Sequence, residues 1–104
     1  MGTGQDTVGP SVLLLPAMDT TVDSVGVLLV VVEVRDPSGV KRIEFQLLPA
    51  SFSFPVQTPL DTASTILFPV PLHLFKHSSF RFYVRALDAL DYETVTDSVT
   101  VTVR

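Results

Sequence analysis

Eight prolines, Pro10, Pro16, Pro37, Pro49, Pro55, Pro59, Pro69 and Pro71, punctuate the chain, and the five from Pro49 to Pro71 leave no stretch of helical length between them. Proline removes a backbone donor and clashes with the preceding turn, so it breaks helices and is confined to edges and turns in sheets. The proline-free C-terminal stretch does not favour a helix either, because it alternates apolar and polar residues with the period of a strand. Valine, threonine and phenylalanine are frequent, and these residues suit a pleated, half-buried surface. The chain is therefore expected to be all-β.

Alternation then sets the strands. Strand A is expected over Ser11–Leu15, closed by Pro16, and a polar link through Asp19, Thr20, Thr21 and Asp23 leads to strand B, Val25–Arg35. The turn Asp36-Pro37-Ser38-Gly39 is strong punctuation, since proline presets φ and glycine supplies a position where φ can be positive. Strand C, Val40–Leu48, places Ile43, Phe45 and Leu47 on one face and Arg42, Glu44 and Gln46 on the other. Edge strands are expected near Ser53–Gln57 and Ser64–Val70. Strand F, Ser79–Leu87, turns Phe80, Phe82, Val84 and Ala86 inward. Strand G, Thr94–Val103, turns Val95, Val99, Val101 and Val103 inward. About seven short antiparallel strands with turn signals between them predict two packed sheets, a sandwich. Residues 1–9 read as a flexible lead-in and 10–104 as a single domain, a length able to bury a core without metal or disulfide.

Composition narrows the partners. The net charge is −4 and the seven basic residues are scattered, so no stretch can follow a phosphate backbone, and nucleic acid is not an expected partner. The longest apolar run, Val25–Val32, is well short of the ~20 residues of a membrane helix, and membrane insertion is not expected. The opening residues lack the basic start and apolar core of a signal peptide, so any export signal lies outside this sequence. With no cysteine, disulfides do not reveal the compartment.

Several pieces together resemble a known family. Pro10-Ser11-Val12 through Pro16, then Val30 to Asp36, Ser38-Gly39-Val40 and Ile43-Glu44-Phe45 match the opening and the first strands of bacterial immunoglobulin-like (Big-type) domains. Phe82-Tyr83-Val84-Arg85-Ala86-Leu87-Asp88 and Val99-Thr100-Val101-Thr102-Val103 match their last two strands. The resemblance covers about three quarters of the chain and implies an immunoglobulin-like β-sandwich. It leaves activity open, because such modules serve as spacers, adhesin segments, enzyme appendages and phage decorations. Two departures stand out. The family's Asp-x-x-Gly-Asn turn is replaced by Asp88-Ala89-Leu90-Asp91-Tyr92-Glu93, and the middle of the chain is unusually rich in aromatic residues and proline.

Sandwich topology brings the B–C and F–G loops to one end, so Asp36, Asp88, Asp91 and Glu93 are the candidate ligands for a calcium ion, which takes six to eight oxygens. The plainer reading is that Asp36 and Asp88 cap turns while the other two are solvated. Calcium is the one cofactor the pattern admits. His73 and His77 are four apart, but among prolines and without a third ligand they read as solvent-facing. Lys41, Lys76 and Asp97 are the residues from which a lysine–aspartate crosslink would have to be built, and Asp97 equally suits a bulge. No nucleophile elbow or phosphate loop is present, and no enzyme activity is expected.

The sharpest functional signal is strand B. Leu28, Val30, Val32 and Val34 take its inner face, yet Val27, Leu29 and Val31 leave the outer face apolar as well. A sheet with one wet face should alternate, and large exposed apolar patches mark interfaces. Phe52, Phe54, Phe68 and Phe75 are grouped with this surface, either as an internal cover or as part of the contact. The leading expectation is a non-catalytic module of a bacterial cell-surface or secreted protein, acting as spacer or interaction domain, with neighbouring domains or another protein as partner. The rival is an oligomer-forming subunit of a larger assembly, such as a virion decoration or a filament. A third class is a carbohydrate-binding appendage using Tyr83 and Tyr92.

Overall fold

Residues 9–48 and 54–104 are described by a computed structural model. The strands are β1 (Ser11–Leu15), β2 (Thr20–Val22), β3 (Val27–Arg35), β4 (Val40–Leu48), β5 (Ala63–Pro71), β6 (Ser78–Asp88), β7 (Glu93–Val95) and β8 (Val99–Val103). A 3₁₀ turn, Leu72–Phe75, joins β5 to β6. Three strands form one sheet in the order β1-β3-β5, and five form the other in the order β2-β8-β6-β4 with β7 also on β6. The two sheets pack as an all-β sandwich.

The core lies between them and is built by alternation. Val30, Val32, Val34, Phe68 and Val70 come from the three-stranded sheet, facing Ile43, Phe45, Phe80, Phe82, Val84, Val99, Val101 and others from the five-stranded one. Phe45 is the hub: its ring stacks on Phe68 at 4.5 Å and on Phe82 at 5.6 Å, and meets Phe54 edge-on at 5.1 Å. Offset and edge-to-face pairs of this kind add to simple area burial.

The structure differs from the sequence expectation at four places. Eight strands are described where about seven were expected: Thr20–Val22, read as a link, pairs with β8, and strand G divides in two, while the described residues near Ser53–Gln57 form no strand. The β2–β8 pairing is parallel, so the ladder is not wholly antiparallel. Near Ser53–Gln57 the described residues hold only a bridge between Gln57 and Ile43, while Leu60 and Asp61 exchange hydrogen bonds with Val40. This segment thereby shields part of the free edge of β4.

The fourth difference is Val95, expected inside but 52% exposed. It pairs with Arg85, whereas Val99 pairs with Phe82, so the register slips by one residue across Thr96–Ser98. One inserted residue moves every later side chain to the opposite face. Thr96 holds the bulge, donating its N–H to the Val84 carbonyl and accepting the Val84 N–H on Oγ1, both at 3.0 Å. A second bulge at Lys41 lets both Val40 and Ile43 turn inward.

Candidate functional site

Three neighbouring strands place their odd-numbered residues on the outer face of the three-stranded sheet. On β3 these are Val27, Leu29 and Val31, which the ladder aligns with Pro71, Pro69 and Leu67 of β5; Leu15 of β1 lies opposite Val31, and Leu13, next on the same face, lies opposite Glu33. Leu15, Val31 and Leu67 form a continuous row across all three strands. Leu29 is 53% exposed and Leu67 55%; Leu13, Leu15 and Val27 are similar, and Val31 is half-buried between its neighbours. The face is thus apolar over most of its width, and among the described residues no segment lies over it.

Beyond Val31 the face turns polar. Glu33 and Arg35 pair with each other at 3.0 Å, opposite Thr65 and Ala63 of β5. Its edges are blunted by proline. Pro69 and Pro71 have no N–H to offer beyond β5, and β1 is a five-residue strand set between Pro10 and Pro16. Edges of this kind resist pairing with another strand.

The phenylalanines grouped with this surface lie elsewhere. Phe68 and Phe75 are buried in the core, the latter against Phe80 at 4.7 Å. Phe54 is partly buried and packs edge-on against Phe45 and Phe68, on the inner side of the sandwich. The reason is parity: Phe68 pairs with Val30, an inward position, so it points away from the face that carries Leu67 and Pro69. Phe52 lies outside the described residues. The signal the sequence offered for the rest of the patch was Leu13, Leu15 and Leu67, each at outward parity on its strand.

The acidic candidates are placed one by one at the loop end. Asp36 is buried, and its Oδ2 accepts the N–H of Ser38 at 2.9 Å and the Ser38 hydroxyl. Asp88 is fully buried, and its Oδ1 accepts the N–H groups of Leu90 at 2.8 Å and Tyr92 at 2.9 Å. Asp91 pairs with Lys41 at 2.6 Å, and Glu93 with Arg85 at 2.6 Å. Hydrogen bonding to Glu93, with its charge, holds the exposed Arg85 guanidinium further above its usual range. Among the described residues no three His, Asp or Glu side chains converge as a metal-ligand group, so the four carboxylates do not form the calcium cluster drawn from the sequence. His73 and His77 are exposed around the 3₁₀ turn, and Asp97 is exposed in the bulge.

The outer face of the five-stranded sheet is mostly polar, with Val95 and Leu48 as its exposed apolar residues. Arg42 and Glu44 pair at 3.2 Å, and the threonines of β8 alternate outward. A shallow groove there is lined by Leu48, Ser79, Phe80, Arg81 and Thr100.

No protein-family model matches the chain, and none of the curated proteins does. Its fold is similar to that of a streptococcal adhesin. A point mutant of the SrpA adhesin from Streptococcus sanguinis superposes with a TM-score of 0.65 at 18% identity, covering 96% of this chain and 60% of that one. A second structure, of the SrpA adhesin itself, gives a TM-score of 0.63 at 18% identity, covering 97% of this chain and 59% of the other. The chain spans about three fifths of the length of these adhesin structures. At this identity the likeness is one of fold.

Proposed function

We propose that this chain is a non-catalytic, immunoglobulin-like interaction module of a bacterial cell-surface or secreted protein, and that it makes its contact through the outer face of the three-stranded sheet. One observation carries the reading: Leu13, Leu15, Val27, Leu29 and Leu67 leave about half of their surface in water on one face of one sheet. Apolar surface of this extent loses free energy in water and gains it on contact. The reading is non-catalytic because the buried acids, Asp36 and Asp88, are engaged in turns, and Asp91 and Glu93 are held by ion pairs. The likeness of fold to a surface adhesin supports the location, and the mostly polar face of the other sheet suits a side left to solvent.

The test uses intact cells of the source organism. Antibodies raised against this chain are expected to label unpermeabilised cells. Leu29→Lys introduced into the parent protein is expected to reduce attachment of cells to one another or to a surface, with the amount displayed unchanged. Absence of labelling removes the surface location; labelled cells whose attachment ignores the substitution remove this face from the function.

A further inference from the structure

We infer that the occupant of the apolar face is a second copy of this chain, so that two molecules pair face to face through their three-stranded sheets. The inference rests on the reading of that face as a contact surface and names its partner. Area is the first argument. A standard interface takes about 800 Å² from each partner and homodimer interfaces are about 65% apolar, so each copy must supply about 500 Å² of apolar surface. The half-exposed Leu13, Leu15, Val27, Leu29 and Leu67, with Pro69 beside them, offer about that much. A smaller ligand or a single peptide strand would leave much of the face wet.

Charge is the second argument. The face carries one acid and one base, Glu33 and Arg35, and they neutralise each other at 3.0 Å. It therefore has nothing to select an oppositely charged partner and nothing there to repel its own copy. The third argument is geometry. Pro69 and Pro71 on one edge and the short, proline-bounded β1 on the other oppose strand addition, which leaves face-to-face packing as the open mode. Two twisted sheets pack in this way about 10 Å apart with their strands near parallel or antiparallel, interdigitating rows such as Leu15, Val31 and Leu67.

Sedimentation of the full chain from micromolar to millimolar concentration tests this. The mass is expected to rise from 11.3 kDa toward twice that value. Leu29→Lys and Leu67→Glu are each expected to weaken association about tenfold or more, because each buries a charge in the apolar contact. Val95→Lys, on the opposite sheet, is expected to leave it unchanged. Methyl NMR of the unmodified chain supplies a reading that needs no variant: the resonances of Leu13, Leu15, Val27, Leu29 and Leu67 are expected to shift with concentration. A constant mass of 11.3 kDa at all concentrations overturns the inference, as does a dimer indifferent to Leu29→Lys and Leu67→Glu. A monomer whose parent protein still loses attachment on Leu29→Lys loses the dimer and keeps the contact surface; a dimer whose parent attaches normally does the reverse.

Discussion

Asp88 ends β6 with no part of it exposed, and it earns that position by closing the turn that follows. Its Oδ1 collects the N–H groups of Leu90 and Tyr92, while its own N–H donates to the Tyr92 carbonyl at 3.0 Å. Asp88→Ala takes the acceptor away from two part-buried amide hydrogen bonds, and should cost about 1–3 kcal/mol in chemical denaturation. Asp88→Asn keeps an acceptor oxygen and should cost less. Gly39 is the counterpart at the other turn. Its φ is +105, and a Cβ there would stand 3.4 Å from the Leu60 carbonyl oxygen. Gly39→Ala is therefore expected to lower stability by about 1–2 kcal/mol, measurable as a lower melting midpoint. The Asp36–Gly39 turn was legible in the sequence because turn chemistry is local, carried by four consecutive residues. The depth at which Asp88 sits was not, because burial depends on strands far away along the chain.

At the scale of the element, a bulge decides what alternation cannot. Strand G reads as one unbroken run of Val and Thr from Thr94 to Val103, and a strict period of two sends Val95 and Val99 the same way. The slip at Thr96–Ser98 sends them to opposite sides. Thr96→Val removes the hydroxyl that accepts the Val84 N–H, so it is expected to cost about 1–2 kcal/mol. The Val84 amide should then exchange with solvent faster, while the rest of β6 changes little. A Val84 amide as slow as before would show that the hydroxyl is not what pins the bulge. Longer strands were read more closely: β6 and the part of β4 past the Lys41 bulge turn the expected residues inward, and β3 does so too although it begins two residues later than expected, because a two-residue period with a buried face has one consistent register. β2 escaped notice since three residues, Thr20–Val22, are too few to show a period.

For the molecule as a whole, the two faces of β3 carry different work. The inner one joins the aromatic hub, and Phe45→Ala, which removes the ring stacked between Phe68 and Phe82, should cost about 3–5 kcal/mol of unfolding free energy. The outer one contributes little to the fold of a single copy, so Leu29→Lys is expected to stay within about 0.5 kcal/mol of the parent in dilute solution. A large loss there would mean that the face is covered by the chain itself. Ion pairs do little to change this balance, since Lys41–Asp91, Arg85–Glu93 and Arg104–Asp23 lie at the exposed surface and are screened by water. Sequence alone determined the all-β class, the strands of the core and the apolar outer side of β3, because proline placement and side-chain parity are properties of short segments. Only the tertiary structure decided that Leu13, Leu15 and Leu67 join that side as one patch, that Phe68 and Phe75 turn into the core, and that four acids end in separate turns and ion pairs. Those outcomes depend on which strands pair and in what register, and register is set by packing between residues distant in the chain.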